Sequence, residues 1–395
     1  MRFTILTQYY PPEVGAAQVR LAAFAKTLIE LGHDVVVVTA MPNYPTGKVF
    51  EGYKGKIWFK ENLNGVDTFR TWIYPATGRR VIPRLISYLS FMFSCLLALF
   101  FVPKADILFV ESPPLFLCIS GWLGSILRRQ RLCLNISDLW PDSVIALGVM
   151  SEGLFIRGAR RLESWLYKEA WCVCGVTHGV MEGIRAKGVP NEKTKFLPNG
   201  VDTTLFRPNL QVYQDYKPYT FLYAGTHGYA HGMDVLIYAA AQLQERRDIC
   251  LHLVGDGADK LRIVQLVKQL NLENVRFDDP ISVEEVAYLF QRTFAALVTV
   301  AKGDFFAGTR SAKILPAMAS GKAILHSGFG EGGKLVEQAA AGIVVPPSDP
   351  EKLAQAIVAL VDHPMLAEQM GKNGRRFVEK HYSWVAIVST WLASL

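Results

Sequence analysis

Charge is scarce in this chain. Asp, Glu, Lys and Arg make up only 19% of its 395 residues, while half are hydrophobic. That balance excludes a disordered or low-complexity polymer and leaves enough apolar surface for large cores. The six cysteines include no CxxC pair, and Cys172 and Cys174 stand too close together for a usual zinc knuckle. They read as reduced core thiols of a cytoplasmic protein. Residues 1–10 lack the layout of a signal peptide and read as a first strand. A GxGxxG fingerprint, a P-loop and a metal-holding DxD tripeptide are also missing. No metal cluster is expected, so Arg, Lys, His and backbone N–H groups would have to carry the charge of any bound diphosphate.

What charge there is lies unevenly. The formal balance is +7; residues 1–200 hold 23 Lys/Arg against 15 Asp/Glu, and residues 201–395 hold 19 against 20. The excess in the first half points to an anionic partner there: a membrane surface, a nucleic acid or an anionic substrate.

The pattern of apolar runs is that of an α/β protein. Residues 2–8, VVVVTA (35–40), DILFVES (106–112), LCLNISD (132–138) and CVCGVT (172–177) are buried-strand runs, and a helix is predicted from Ala17 to Leu31. The rhythm restarts with YTFLYAG (219–225), LHLVGDG (251–257), NVRF, FAALVTV, KAILHS and GIVV. Two doubly wound parallel-sheet domains follow, 1–202 and 203–379. The seam falls in the polar stretch 203–217, and residues 380–395, with Trp384 and Trp391, are expected to pack back on the first domain. Leu85–Pro103 carries no charge for 19 residues and is flanked by Arg79, Arg80, Arg84 and Lys104. It could span a bilayer, lie on one, or form an ordinary core helix; spanning would tear the sheet that surrounds it.

Ligands of open α/β sheets bind beyond the carboxyl ends of the strands. Three turns there feed helices: Pro11–Gly15, Gly225–Gly228 and Gly255–Gly257. Arg310 and Lys313 precede a predicted helix at 314–319, where acids are the usual choice, and a diphosphate would explain the cation pair. Asp138 ends a strand and could orient a hydroxyl, take a proton or cap a helix. His178 sits on a similar rim, and His227 and His231 flank Gly228. His33 reads as structural.

Taken together, YYPPEVGAAQVRLAAFAKTLIELGHDVVVVTAMPNYPTGK, SDLWPDS, PNGVD, YAGTHGYAHGMDVLIYAA, LVGDG, KILPAMASGKAIL and AGIVVPPSDP occur in an order that resembles glycosyltransferase family 4. This family has the GT-B fold, and within it the chain resembles the WbuB-like sugar transferases of surface-polysaccharide (O-antigen, capsule, exopolysaccharide) assembly. The resemblance implies two Rossmann-like domains facing across a cleft, with the nucleotide-sugar donor mainly on the second and the acceptor on the first. It implies retaining transfer with no metal or other cofactor. Gly15 would let backbone approach the donor phosphates. Gly225, His227 and Gly228 match the second phosphate loop, with Gly255 on the neighbouring turn. Arg310 and Lys313 match the cationic donor segment, with Asp138 and His178 as further catalytic candidates. A UDP-sugar donor and a polyprenyl-diphosphate-linked glycan acceptor are expected, on the inner face of a plasma membrane, with no nucleic-acid partner. Asn43, Tyr44, Pro45 and Gly47 would lie near the acceptor.

Two departures stand out. The family's paired glutamates fall at Gly308 and Pro316, and its arginine in the loop after residue 225 is replaced by Thr226-His227. Glu331 and Glu337 are the nearest carboxylates that could serve the ribose. A non-catalytic nucleotide-sugar-binding protein and a sugar-nucleotide epimerase of the same architecture are the alternative readings.

Overall fold

The computed structural model describes all residues except Val14, 77–80, 147–149, 210–216 and 304–309. Arg79, Arg80, Gly308 and much of the expected seam therefore lie outside the described residues. The chain divides into two compact units, Met1–Asn199 with Ile387–Leu395, and Gly200–Ala386.

The first unit holds eight strands: β1 (Arg2–Leu6), β2 (Asp34–Ala40), β3 (Trp58–Leu63), β4 (Val66–Thr71), β5 (Ile107–Ser112), β6 (Arg131–Ile136), β7 (Cys172–Gly175) and β8 (Thr194–Phe196). Their order is β3-β4-β2-β1-β5-β6-β7-β8, parallel throughout except for the antiparallel β3–β4 pair. Among the described residues, helices α1 (Ala16–Glu30), α2 (Val81–Ala98), α3 (Leu115–Arg128), α4 (Asp142–Ala146), α5 (Leu154–Glu169) and α6 (His178–Ala186) connect them. Strand β5 is buried at all six positions, because helices cover both faces of the sheet. The β3–β4 hairpin was not among the expected strands. Its two-residue turn, Asn64-Gly65, has φ of 52° and 87°, the positive pair that a tight hairpin needs.

Helix α2 lies on the sheet beside α3. Phe91, Cys95 and Ala98 are buried, while Ile82, Phe93 and Leu97 are 71%, 64% and 65% exposed. Among the described residues no helix is long and apolar enough to cross a membrane. The uncharged run is thus half core and half bare apolar face.

The second unit carries β9 (Tyr219–Ala224), β10 (Ile249–Val254), β11 (Val275–Asp278), β12 (Ala295–Thr299), β13 (Ala323–Ser327) and β14 (Gly342–Val345), all parallel, in the order β11-β10-β9-β12-β13-β14. Its helices are α7 (Asp234–Gln242), α8 (Lys260–Gln269), α9 (Val283–Gln291), α10 (Ile314–Ala319), α11 (Glu331–Gln338), α12 (Pro350–Asp362) and α13 (Pro364–His381); α14 (Trp384–Ser394) starts here and ends with the first unit. Each sheet reverses its winding once, between β1 and β5 and between β9 and β12. Such switch points leave a crevice at the strands' carboxyl ends. Strands β9 and β12 pair only at Phe221–Ala295 and Leu222–Ala296, so the two part company before their ends.

Candidate functional site

The second unit's switch point gathers most of the residues singled out in the sequence. Gly225 follows β9 with φ of +143°, and Gly255 follows β10 with φ of +141°. The two turns are pressed together. A Cβ on Gly255 would lie 2.0 Å from the Gly225 carbonyl oxygen, so backbone meets backbone where only glycine fits. Lys313, just before α10, lays its side chain over Gly225 and sets its ammonium 4.8 Å from the centre of the Tyr223 ring. Among the described residues no carboxylate pairs with it. Burial brings its pKa down to about 8.

His227 does not face a ligand. It is fully buried between the turns, with Gly255 and Gly257 against it. Burial, together with Lys260 and Lys313, lowers its pKa, so the ring is neutral. Its N–H donates to the Asp256 carbonyl and its carbonyl accepts from Asp259 N–H, both at 2.9 Å. The N–H groups of Gly225 and Gly255 are likewise taken by the Val254 and Asp278 carbonyls. Of the 225–228 loop, the amides of Thr226 and Gly228 are the ones left without an internal acceptor among the described residues. His231, half-buried in the following turn, is pushed down to about 4 by burial and by Lys313 and His227.

Arg310 sits 4.9 Å over the Tyr382 ring, close enough to Glu331 to feel its charge; burial lowers its pKa and both neighbours oppose the shift. Glu331 opens α11 behind Gly330, whose φ is +81°. Glu337 lies six residues on, exposed, about 9 Å along the helix axis from Glu331. It is not part of the group. Pro316 occupies the first turn of α10, where a missing N–H costs no helical hydrogen bond.

Two family models match the chain: "Glycosyl transferase 4-like domain" over residues 15–200 and "Glycosyl transferases group 1" over 210–377. This chain is a GT-B glycosyltransferase of family 4. WcaI of Escherichia coli K12, a glycosyl transferase assigned to colanic acid biosynthesis, is 25% identical over 96% of both chains. Sucrose-phosphate synthase from Thermosynechococcus elongatus superposes with a TM-score of 0.74 at 22% identity, over 98% of this chain and 96% of its own. The Anabaena protein HepE, solved with UDP, superposes at 0.72 with 17% identity over the whole of both chains.

In this glycosyltransferase the first unit brings Gly15, Asp138 and His178 to one rim, after β1, β6 and β7. Gly15 opens α1 with extended backbone, so its φ demands no glycine; a Cβ there would meet only the mobile tip of Gln18. Asp138 is partly buried, which raises its pKa. His178 is the first residue of α6, capped by Thr177, and stacks on Phe196 with ring centres 4.4 Å apart.

Several polar groups that shape the rims escaped the sequence reading. Glu13 is buried and its carboxylate accepts from the N–H groups of Tyr10, Asn43 and Tyr44, tying the 43–47 loop to the turn after β1. Arg70, also fully buried, pairs with Glu61 and donates to the carbonyls of Ala40 and Pro11. Arg20 pairs with Glu111, which in turn accepts from Asn135. In the second unit His326 is buried beneath Gly328 and Gly332 and pushed down to about 4. The only sequence signal for Glu13 was an acid wedged between two prolines and a glycine.

Proposed function

We propose that the protein transfers a sugar, with retention, from a UDP-sugar to a polyprenyl-diphosphate-linked glycan acceptor during bacterial surface-polysaccharide synthesis. The observation that carries the reading is Lys313: a half-buried ammonium with no described counter-charge, at the switch point, over a glycine turn whose Thr226 and Gly228 amides have no acceptor among the described residues. Withdrawing a cation partly from water without a counter-charge costs free energy that an anionic ligand can offset. A nucleoside diphosphate supplies that charge. HepE has been solved with UDP and with UDP-glucose, which favours a uridine donor.

The chemistry follows from charge. As the bond from the anomeric carbon to the diphosphate breaks, negative charge grows on the leaving oxygens. Lys313, Arg310 and the Thr226 and Gly228 amides meet that charge without a metal ion. The acceptor hydroxyl attacks from the same face and gives its proton to the departing phosphate. Asp138 and His178 orient the acceptor on the first unit.

The acceptor is reached at a membrane. Helix α2 leaves Ile82, Phe93 and Leu97 bare, α3 beside it leaves Ile126 and Leu127, and α5 beyond it leaves Leu154 and Phe155. A pocket of about 380 Å³ on α5 is lined by Arg160, Arg161, Ser164, Trp165 and Lys168. Apolar side chains beside basic ones suit an anionic lipid surface on the cytoplasmic side. The test is a mass-spectrometric screen of sugar nucleotides against polyprenyl-diphosphate-sugar acceptors, with and without EDTA. Transfer that survives chelation is expected. UDP binding without turnover on any acceptor would instead identify a binding protein, and loss of turnover with EDTA would remove the metal-free mechanism.

A further inference from the structure

Three cysteines that the sequence spaces too oddly for a metal motif meet in the first unit. Cys133 on β6 stands in register with Cys172 on β7, and Cys174 follows on the same face of the sheet. Their Sγ atoms are 3.1, 3.5 and 3.8 Å apart, and all three residues are buried. No disulfide joins them. Among the described residues this is the one group of His, Cys, Asp or Glu side chains that could surround an ion.

We propose that these three thiols form a three-coordinate binding site for a soft monovalent cation of the Cu⁺ type. The geometry supports it in three ways. A point in the sulfur plane equidistant from the three atoms lies about 2.0 Å from each, and a shift of about 1 Å off that plane reaches the ~2.3 Å of a metal–thiolate bond. The indole Nε1–H of Trp391, a group that can only donate, points at Cys174 Sγ from 3.2 Å. It therefore treats that sulfur as an acceptor, as a ligating sulfur is held by its outer neighbours. Finally, no fourth His, Cys, Asp or Glu joins the group among the described residues. Zn²⁺ takes four ligands in its structural sites, whereas sulfur-only, softer surroundings suit Cu⁺. One Cu⁺ enters and three thiol protons leave, so the tris-thiolate site carries a net charge of −2, part of which the Lys195 charge acting on Cys172 offsets.

The site lies on β6 and β7 of the first unit's sheet. Trp391 covers it and packs on Phe24 and Phe109, with ring centres 5.4 and 5.8 Å away, so entry requires the last helix to lift. The test uses the full chain, reduced and anaerobic, titrated with Cu⁺ against bathocuproine disulfonate and, separately, with Zn²⁺ against a dye chelator. One equivalent of Cu⁺ should be retained, and X-ray absorption of the loaded wild type should give a shell of three sulfurs. Cys172→Ser should lose the ion, and Cys250→Ser should keep it. Trp391→Phe should weaken retention about tenfold while leaving the sulfur count at three. A shell with fewer than three sulfurs overturns the proposal whether or not the variants fold. So does retention of Zn²⁺ in preference to Cu⁺, or equal Cu⁺ retention by Cys172→Ser.

Discussion

Lys313 lies across Gly225: a Cβ on the glycine would stand 2.5 Å from the lysine Cε and 3.2 Å from its Nζ. The contact joins the segment leading into α10 to the turn after β9, across the line where the sheet reverses. It sets a cation where folding alone would prefer none. Lys313→Met keeps the stem and removes the charge. UDP affinity should fall at least tenfold by calorimetry, the loss of one charged hydrogen bond of about 1.5–3 kcal/mol. The melting temperature of the ligand-free protein should hold or rise, since a half-buried ammonium without a described carboxylate partner is gone. A variant that melts lower yet binds UDP normally would make Lys313 a structural residue.

The same group sets a pH dependence. In the folded, ligand-free protein Lys313 titrates at about 8, below its ordinary 10.5. Diphosphate binds the ammonium form. UDP affinity should therefore be flat below pH 7 and fall above pH 8, approaching tenfold per pH unit. Stability runs the other way: between about 8 and 10.5 the unfolded chain holds more protons, so the ligand-free protein gains stability as pH rises there. Calorimetry from pH 6 to 9.5 checks the first trend, and in Lys313→Met the slope should vanish.

Gly225→Ala attacks the partner of that contact. The substitution forces a side chain onto a φ of +143° and into the lysine stem. We expect a stability loss of about 1–3 kcal/mol in denaturant melts, and weaker UDP binding because Lys313 must move aside. Thr226→Ala leaves backbone and lysine untouched and should bind UDP as the wild type does.

Much of the fold was legible because parallel strands buried on both faces read as unbroken apolar runs; VVVVTA and ILFVES are examples. The β3–β4 hairpin was missed because β3 alternates and half its side chains face solvent, although Asn64-Gly65 marked the turn. Glycines at strand ends pointed to the turns at the second unit's switch point. Their sequence could not tell which amides stay open, since that depends on the β10 turn closing over the β9 turn. The inward position of His227 was hidden for the same reason. Likewise, Cys133 meets Cys172 and Cys174 through strand register, which no local spacing records.

His326 predicts the acid limit of the second unit. Its ring is buried and titrates at about 4, against 6.5 in the unfolded chain. Below pH 6.5 the unfolded state takes up the proton first, so stability should fall progressively between pH 6.5 and 4. The full effect is about 3 kcal/mol. His231 is lowered to the same range and adds in the same direction. His326→Leu should flatten part of the decline in urea melts recorded across that window; an unchanged slope would show that the ring is not kept neutral by burial.

The last prediction concerns the bare face of α2. Phe91 and Cys95 face the core, so Phe93 and Leu97, displaced around the helix and largely exposed, can be changed without opening a cavity. Phe93→Gln with Leu97→Gln should leave the unfolding free energy in urea melts within about 0.5 kcal/mol of the wild type, as surface changes do. Burying the two side chains in the boundary of a bilayer is worth roughly 1.5–3 kcal/mol each, so the double variant should float with anionic vesicles at least tenfold less well. The basic α5 pocket is expected to supply the electrostatic share of that proposed binding. Arg161→Ala with Lys168→Ala should weaken flotation at low salt and matter little at high salt, where charge is screened. Flotation of the α2 variant equal to that of the wild type would mean that this apolar face meets something other than lipid, and the acceptor would then have to reach the protein by another surface.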